Sequence, residues 1–113
     1  MEDCIFCKII GGKIPSEKLY EDEECIVIKD INPVAKKHFL LIPKEHYKFL
    51  SDMTDLQAQT LGKCLQKIKG LIPILGLEKG FRLVVNQGDE ALQTVPHLHI
   101  HILSGQKMDW NPA

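Results

Sequence analysis

The sequence predicts an α+β domain: a mainly antiparallel, five-stranded sheet with one long and one short helix. Three observations lead there. Short apolar runs and two helical patterns follow one another as helix, strands, helix, strands. The connections between runs are too short for repeated parallel crossovers, each of which needs a dozen residues or more. Finally, His97-Leu98-His99-Ile100-His101-Ile102-Leu103 alternates with the period of two that belongs to a strand.

The elements follow in order. Cys4 to Ile10 reads as a short helix with Ile5, Phe6, Ile9 and Ile10 on its apolar side, ended by Gly11-Gly12. Lys18 to Glu21 is a short strand, and Glu24 to Lys29 a stronger one, rich in Ile and Val. Asp30-Ile31-Asn32-Pro33 has turn chemistry. His38 to Pro43 is an apolar strand ended by its proline. Thr54-x-x-Gln57 resembles a capping box. It opens a helix with Leu56, Leu61, Cys64, Leu65, Ile68, Leu71 and Ile72 on one side, which Gly70 and Pro73 should end or kink. Gly80 to Asn86 is a strand. A loop to Pro96 then leads into the histidine strand, whose Leu98, Ile100 and Ile102 should pack under the long helix. The tail from Met108 to Ala113 is irregular.

At 113 residues the chain reads as one domain, 1–113, with a single modest core. A net charge of −1 and 26% charged residues give no sign of a nucleic-acid groove or of binding to an anionic membrane. No apolar run approaches a bilayer-spanning length. Met1-Glu2-Asp3-Cys4 lacks the basic region of a signal peptide. The expectation is a cytoplasmic protein with reduced thiols. Cys25 and Cys64 then read as small buried hydrophobes. Cys4 and Cys7 form a Cys-x-x-Cys. A redox pair of the thioredoxin type would need a strand before it, and only three residues precede Cys4. Half of a zinc site, completed from far along the chain, fits better.

The histidine row carries the chemistry. An exposed face of an amphipathic strand is its bland reading, but Thr, Lys or Glu would serve there, and three protonated imidazoles repel one another. Imidazole serves as base, nucleophile or metal ligand near neutral pH. Alternate residues on a strand lie ~6.6 Å apart, so the outer pair is about 13 Å apart. With zinc–nitrogen bonds of about 2.0–2.1 Å, one metal could hardly take all three, which suggests divided labour.

The run His97 to Leu103 resembles the histidine-triad motif. Ile5-Phe6-Cys7-Lys8-Ile9-Ile10, Ile14-Pro15, Tyr20-Glu21-Asp22, Asp30-Ile31-Asn32-Pro33, His38 to His46, Val84-Val85-Asn86 and Trp110-Asn111-Pro112 extend the likeness to the Hint branch over nearly the whole chain. The resemblance implies a HIT-like fold. It also implies a homodimeric hydrolase or transferase acting at the α-phosphate of purine nucleotides, typically nucleoside phosphoramidates. In that reading His99 attacks phosphorus, and its other nitrogen donates to a backbone carbonyl matched by Leu92. His38 and His101 donate to phosphate oxygens. Thr94 stands near the leaving group, where the family commonly has a serine. Leu92 replaces a usual glycine and would be strained at a positive φ.

The same resemblance implies that Asp30 accepts from ribose hydroxyls. Ile5, Phe6, Ile9, Ile28 and Ile31 hold the purine, and Asn86 sits near ribose and phosphate. For Ile9 and Ile28, plain core packing competes evenly with a pocket role. Some relatives with this Cys-x-x-Cys bind zinc, and the matching positions are Cys4, Cys7, His46 and His97. Such a closed set would hold one structural Zn2+ per chain. The alternatives are dinucleoside polyphosphate hydrolysis, a nucleotide-binding interaction protein with little catalysis, and a zinc-stabilised structural module.

Overall fold

The structure is a computed structural model and describes residues 3–109. Trp110-Asn111-Pro112, expected to approach a partner chain, lies outside the described residues. The chain forms helix α1 (Ile5–Ile10), strands β1 (Lys18–Glu21), β2 (Cys25–Lys29) and β3 (Lys37–Pro43), helix α2 (Asp55–Leu75), and strands β4 (Phe81–Val84) and β5 (Ile100–Ser104). Single 3-10 turns occupy Leu50–Asp52 and Asp89–Ala91. The strands make one sheet in the order β1-β2-β3-β5-β4, with every neighbouring pair antiparallel. The predicted fold class is the observed one.

Both faces of the central strands are covered, which explains why β3 reads as an unbroken apolar run. Cys25, Val27, Phe39, Leu41, Leu98, Ile100 and Ile102 pack against Leu61, Cys64, Ile68, Leu71 and Leu75 of α2. The alternate residues Ile26, Ile28, Leu40 and Ile42 face the other way, against Cys4, Phe6 and Ile9 around α1. The sheet therefore has a structural face under α2. Its other face is shared between a small core and the histidines.

The capping box at Thr54 and Gln57 is formed in full. Pro73, expected to end or kink α2, lies inside it, and the helix runs on to Leu75. Burial of Leu71, Leu75 and Leu77 on the main core holds this last turn in place. Gly76, at φ 69, then closes the helix with a left-handed cap. Leu56 and Leu65, expected on the buried side, are exposed. At about 100° per residue they fall about 100° and 80° from the centre of the stripe defined by Leu61, Cys64, Ile68, Leu71 and Leu75.

Candidate active site

Only the second half of the histidine run is strand. β5 begins at Ile100, and His97 to His99 lead into it from a bend, anchored where Leu98 N–H donates to the Tyr47 carbonyl at 2.8 Å. His38, His97 and His99 are buried, and His101 is partly so. Register brings in the fourth imidazole. Leu40 pairs with His101 and His38 with Leu103, which makes His38 and His101 diagonal neighbours on one face. Their ring centroids lie 5.1 Å apart, and those of His99 and His101 5.0 Å apart.

Hydrogen-bond partners assign the protons. His99 Nδ1–H donates to the His97 carbonyl at 2.7 Å, which leaves a lone pair on Nε2. The acceptor expected from Leu92 is thus supplied by His97, two residues upstream. His38 Nδ1 accepts from Val34 N–H at 3.1 Å, so Nε2 carries the ring's hydrogen. That hydrogen is donated to His101 Nδ1 at 2.9 Å, with Asp30 Oδ2 3.3 Å away. His101 is therefore protonated at Nε2 and can donate to an anion. Both ring nitrogens of His38 are thus engaged within the protein. Burial pushes the pKa of His101 down to about 4, and neighbouring histidines add to the effect. Burial also lowers His38, against the opposing charge of Asp30.

A cleft of about 300 Å3 opens above this row. Ile5, Phe6 and Ile9 from α1, Ile28 from β2, Asp30 and Ile31 from the turn, and Thr94, His99 and His101 all line it. Ile9 and Ile28 also belong to the small core, so the pocket and packing readings hold together. Ile31 is 88% exposed, an apolar lip of the cleft. Phe6 stacks edge-on against His99 at 5.0 Å and His97 at 5.9 Å. Asn86 and Leu92 are not brought to the cleft. Leu92 does adopt the positive φ anticipated for it, at 61°. A larger hollow of about 600 Å3 lies between Gly76–Gly80 and Ser104–Lys107, but no histidine or cysteine lines it.

Behind the cleft, Cys4, Cys7, His46 and His97 converge. His97 Nε2–H donates to the Pro43 carbonyl at 2.8 Å, which turns the bare Nδ1 toward the sulfurs. That atom is 3.3 Å from Cys4 Sγ, 3.6 Å from Cys7 Sγ and 3.2 Å from His46 Nδ1. Cys7 Sγ is 3.2 Å from His46 Nδ1. Bonds of about 2.0–2.3 Å in a tetrahedron set ligand atoms about 3.3–3.8 Å apart, so this set fits zinc. A backbone carbonyl on the distal imidazole nitrogen is the usual support of a metal-bound histidine. Burial, with Cys4 beside it, raises the Cys7 thiol to about 11. A coordinated cation would reverse that.

Asp30, His38 and His101 also lie within metal-binding distance of one another. Their protons argue otherwise. Val34 N–H occupies His38 Nδ1, so a metal on Nε2 would drive the ring's proton against another N–H. This trio is a hydrogen-bonded relay.

Sequence reasoning missed three contributors: the Val34 amide, the Pro43 carbonyl and the Gln93 side chain. The first two are backbone groups and leave no compositional signal. Gln93 pins the loop before the histidine run, accepting from Gly88 N–H at 2.9 Å and donating to the Lys48 carbonyl at 3.0 Å.

Comparison with known proteins agrees with this geometry. The HIT domain family matches residues 11–108. An uncharacterized HIT-like protein of Synechocystis sp. is 48% identical over 112 residues, covering 99% of this chain and 98% of that relative. A HIT family hydrolase from Legionella pneumophila Philadelphia 1 superposes with a TM-score of 0.91 at 39% identity, over 98% of this chain and 100% of the other. A histidine triad nucleotide-binding protein from Candida albicans gives 0.81 at 36% identity, over 98% and 84%. With the matched family spanning β1 to β5 and the histidine run, the chain belongs to the HIT domain family.

Proposed function

We propose that the chain is a nucleotide hydrolase of the Hint branch that cleaves the P–N bond of purine nucleoside phosphoramidates. One observation carries this reading. A buried His99 lines the cleft with Nδ1–H tied to the His97 carbonyl, so Nε2 presents a lone pair beside the Nε2–H of His101. That is an oriented nucleophile next to an oxyanion donor.

His99 Nε2 attacks the α-phosphorus as the P–N bond breaks. The amine nitrogen keeps the bonding pair and takes a proton from water. His101 donates to a non-bridging oxygen as charge builds there. Water then cleaves the nucleotidyl-histidine, releasing the nucleoside monophosphate and restoring the imidazole. His38 and Asp30 are positioning residues for His101, and Asp30 also accepts from ribose. The apolar cleft wall takes the purine, and Thr94 stands near the departing amine.

Cys4, Cys7, His46 and His97 would hold one structural zinc ion, which cross-links α1 to the sheet when bound. The chain acts as a single domain and a homodimer in the cytoplasm, with the Trp110-Asn111-Pro112 tail approaching the partner's site. The test is His99→Ala. Turnover of a nucleoside phosphoramidate should fall at least about 1000-fold, the scale of losing a covalent nucleophile, while nucleoside monophosphate binding persists. Near-normal turnover in that variant would remove the mechanism.

A further inference from the structure

Cys4 and Cys7 share one ligand set but differ in access. Cys4 is 4% exposed, whereas Cys7 is only half-buried. The other free thiols, Cys25 and Cys64, are fully buried in the main core. The sulfurs of Cys4 and Cys7 lie within 4.8 Å of each other. Cys7 N–H donates to Cys4 Sγ at 3.3 Å, so the turn already folds one cysteine onto the other. Residues three apart at a helix start fall within the span that a disulfide bridges. A disulfide and a metal ion exclude each other at this site. The S–S bond is about 2.05 Å long, whereas two thiolates on one tetrahedral zinc stand about 3.8 Å apart.

The same short helix carries a wall of the cleft. α1 has six residues, too few to persist without packing. Its Ile5, Phe6 and Ile9 line the cleft, and Phe6 packs edge-on against both His97 and His99. Phe6 and Ile9 anchor it in the small core. A second tie runs from Cys4 and Cys7 to His46 and His97.

We propose that Cys7 is an oxidation site for hydroperoxides, and that the resulting Cys4–Cys7 disulfide expels the metal ion, frees α1 and weakens nucleotide binding. The nucleotide part rests on the function proposed above. Sulfur held by a metal ion is thiolate, and Cys7 is the one that solvent reaches. Cys7 Sγ attacks the terminal peroxide oxygen, the O–O bond breaks, and the remainder leaves as water or an alcohol with a proton from solvent. Cys7 is then a sulfenic acid. Cys4 Sγ bonds to that sulfur, the S–O bond breaks, and the oxygen departs as water with a second proton. The two sulfurs have passed two electrons to the peroxide. His46 and His97 alone do not close a tetrahedral site. Thiol exchange reverses the disulfide. Nucleotide affinity falls with the fraction of time that α1 stays docked.

The experiment treats reduced, zinc-loaded protein with hydrogen peroxide. About one zinc per chain should pass to a colorimetric chelator, as befits one closed site. The tryptic peptide 1–8, which holds both cysteines, should lose the mass of two hydrogen atoms. A sulfenic-acid trap added with the peroxide should label Cys7. The Kd for nucleoside monophosphate should weaken about tenfold or more, as for a wall docked a tenth of the time or less. Dithiothreitol with zinc should restore both zinc and affinity. Zinc retained under peroxide overturns the proposal, as does a disulfide elsewhere or trap on Cys4. A Cys4–Cys7 disulfide with unchanged nucleotide Kd also overturns it. Reduced, zinc-loaded protein that binds no nucleoside monophosphate would instead defeat the nucleotide reading itself, and the gate with it.

Discussion

Two histidine clusters lie on the same side of the sheet, and by distance alone both could hold a metal. In one, Cys4, Cys7, His46 and His97 bring four ligand atoms together, with Nδ1 of His97 bare. In the other, the single Nε2 hydrogen of His38 faces both His101 Nδ1 and Asp30 Oδ2. Neither difference is visible in the side chains' identities. It is made by backbone groups behind the rings. The Pro43 carbonyl takes the Nε2 hydrogen of His97 and bares Nδ1. Val34 N–H fills Nδ1 of His38 and forces its hydrogen onto Nε2. An acceptor behind the ring makes a ligand and a donor behind it makes a relay. His97 joins the two regions, with its ring in the first cluster and its carbonyl on His99.

The contrast breaks most easily at the metal. Wild-type protein should carry about one zinc per chain, and titration with zinc should saturate there, since only one cluster offers a closed set of four sulfur and nitrogen ligands. Cys7→Ala should abolish that zinc and lower Tm by about 10 °C or more, at roughly 4 °C per kcal/mol for a chain this size. His97→Ala should resemble it, with turnover still measurable. A second tight equivalent in wild-type protein would show that the relay trio binds metal after all.

A smaller effect is expected from the relay. His38→Ala should reduce kcat about 10- to 100-fold, as for loss of a group that orients a general donor, with zinc content unchanged. Equal loss of zinc in that variant would mean that the two regions are not separable.

The smallest effect concerns acid. Burial holds the folded-state pKa of His101 near 4, below the ordinary value of 6.5. Protonation therefore favours the unfolded chain. The contribution is complete above about pH 6.5 and is lost as pH falls from there toward 4. His101→Gln should flatten the decline of Tm over that window, with little change at pH 8. A decline as steep as that of wild-type protein would show that His101 is not held neutral by the fold.

Much of this architecture was legible because it follows from local chemistry. Leu98, Ile100 and Ile102 alternate with histidines, so they had to face a core while the imidazoles turned away. Thr54 and Gln57 name a helix start by their hydrogen-bonding reach. The histidine-triad likeness brought Cys4, Cys7, His46 and His97 into one expectation, although 93 residues separate the ends of that set. The misreadings have two origins. Pro73 obeys a local rule that burial of Leu71, Leu75 and Leu77 overrode, whereas Leu56 and Leu65 fall off the buried stripe by helix geometry itself.

By itself the sequence determined which side chains could do chemistry and which face of each element would be apolar. Both are set by composition and period along one chain. Only the tertiary structure decided where each imidazole keeps its proton. It also replaced the Leu92 carbonyl with that of His97 and set the Nε2 hydrogen of His38 on His101. The physical reason is that a tautomer is chosen by whichever backbone N–H or carbonyl meets the ring. Every residue but proline carries both groups, so no amino-acid pattern marks which one will be there.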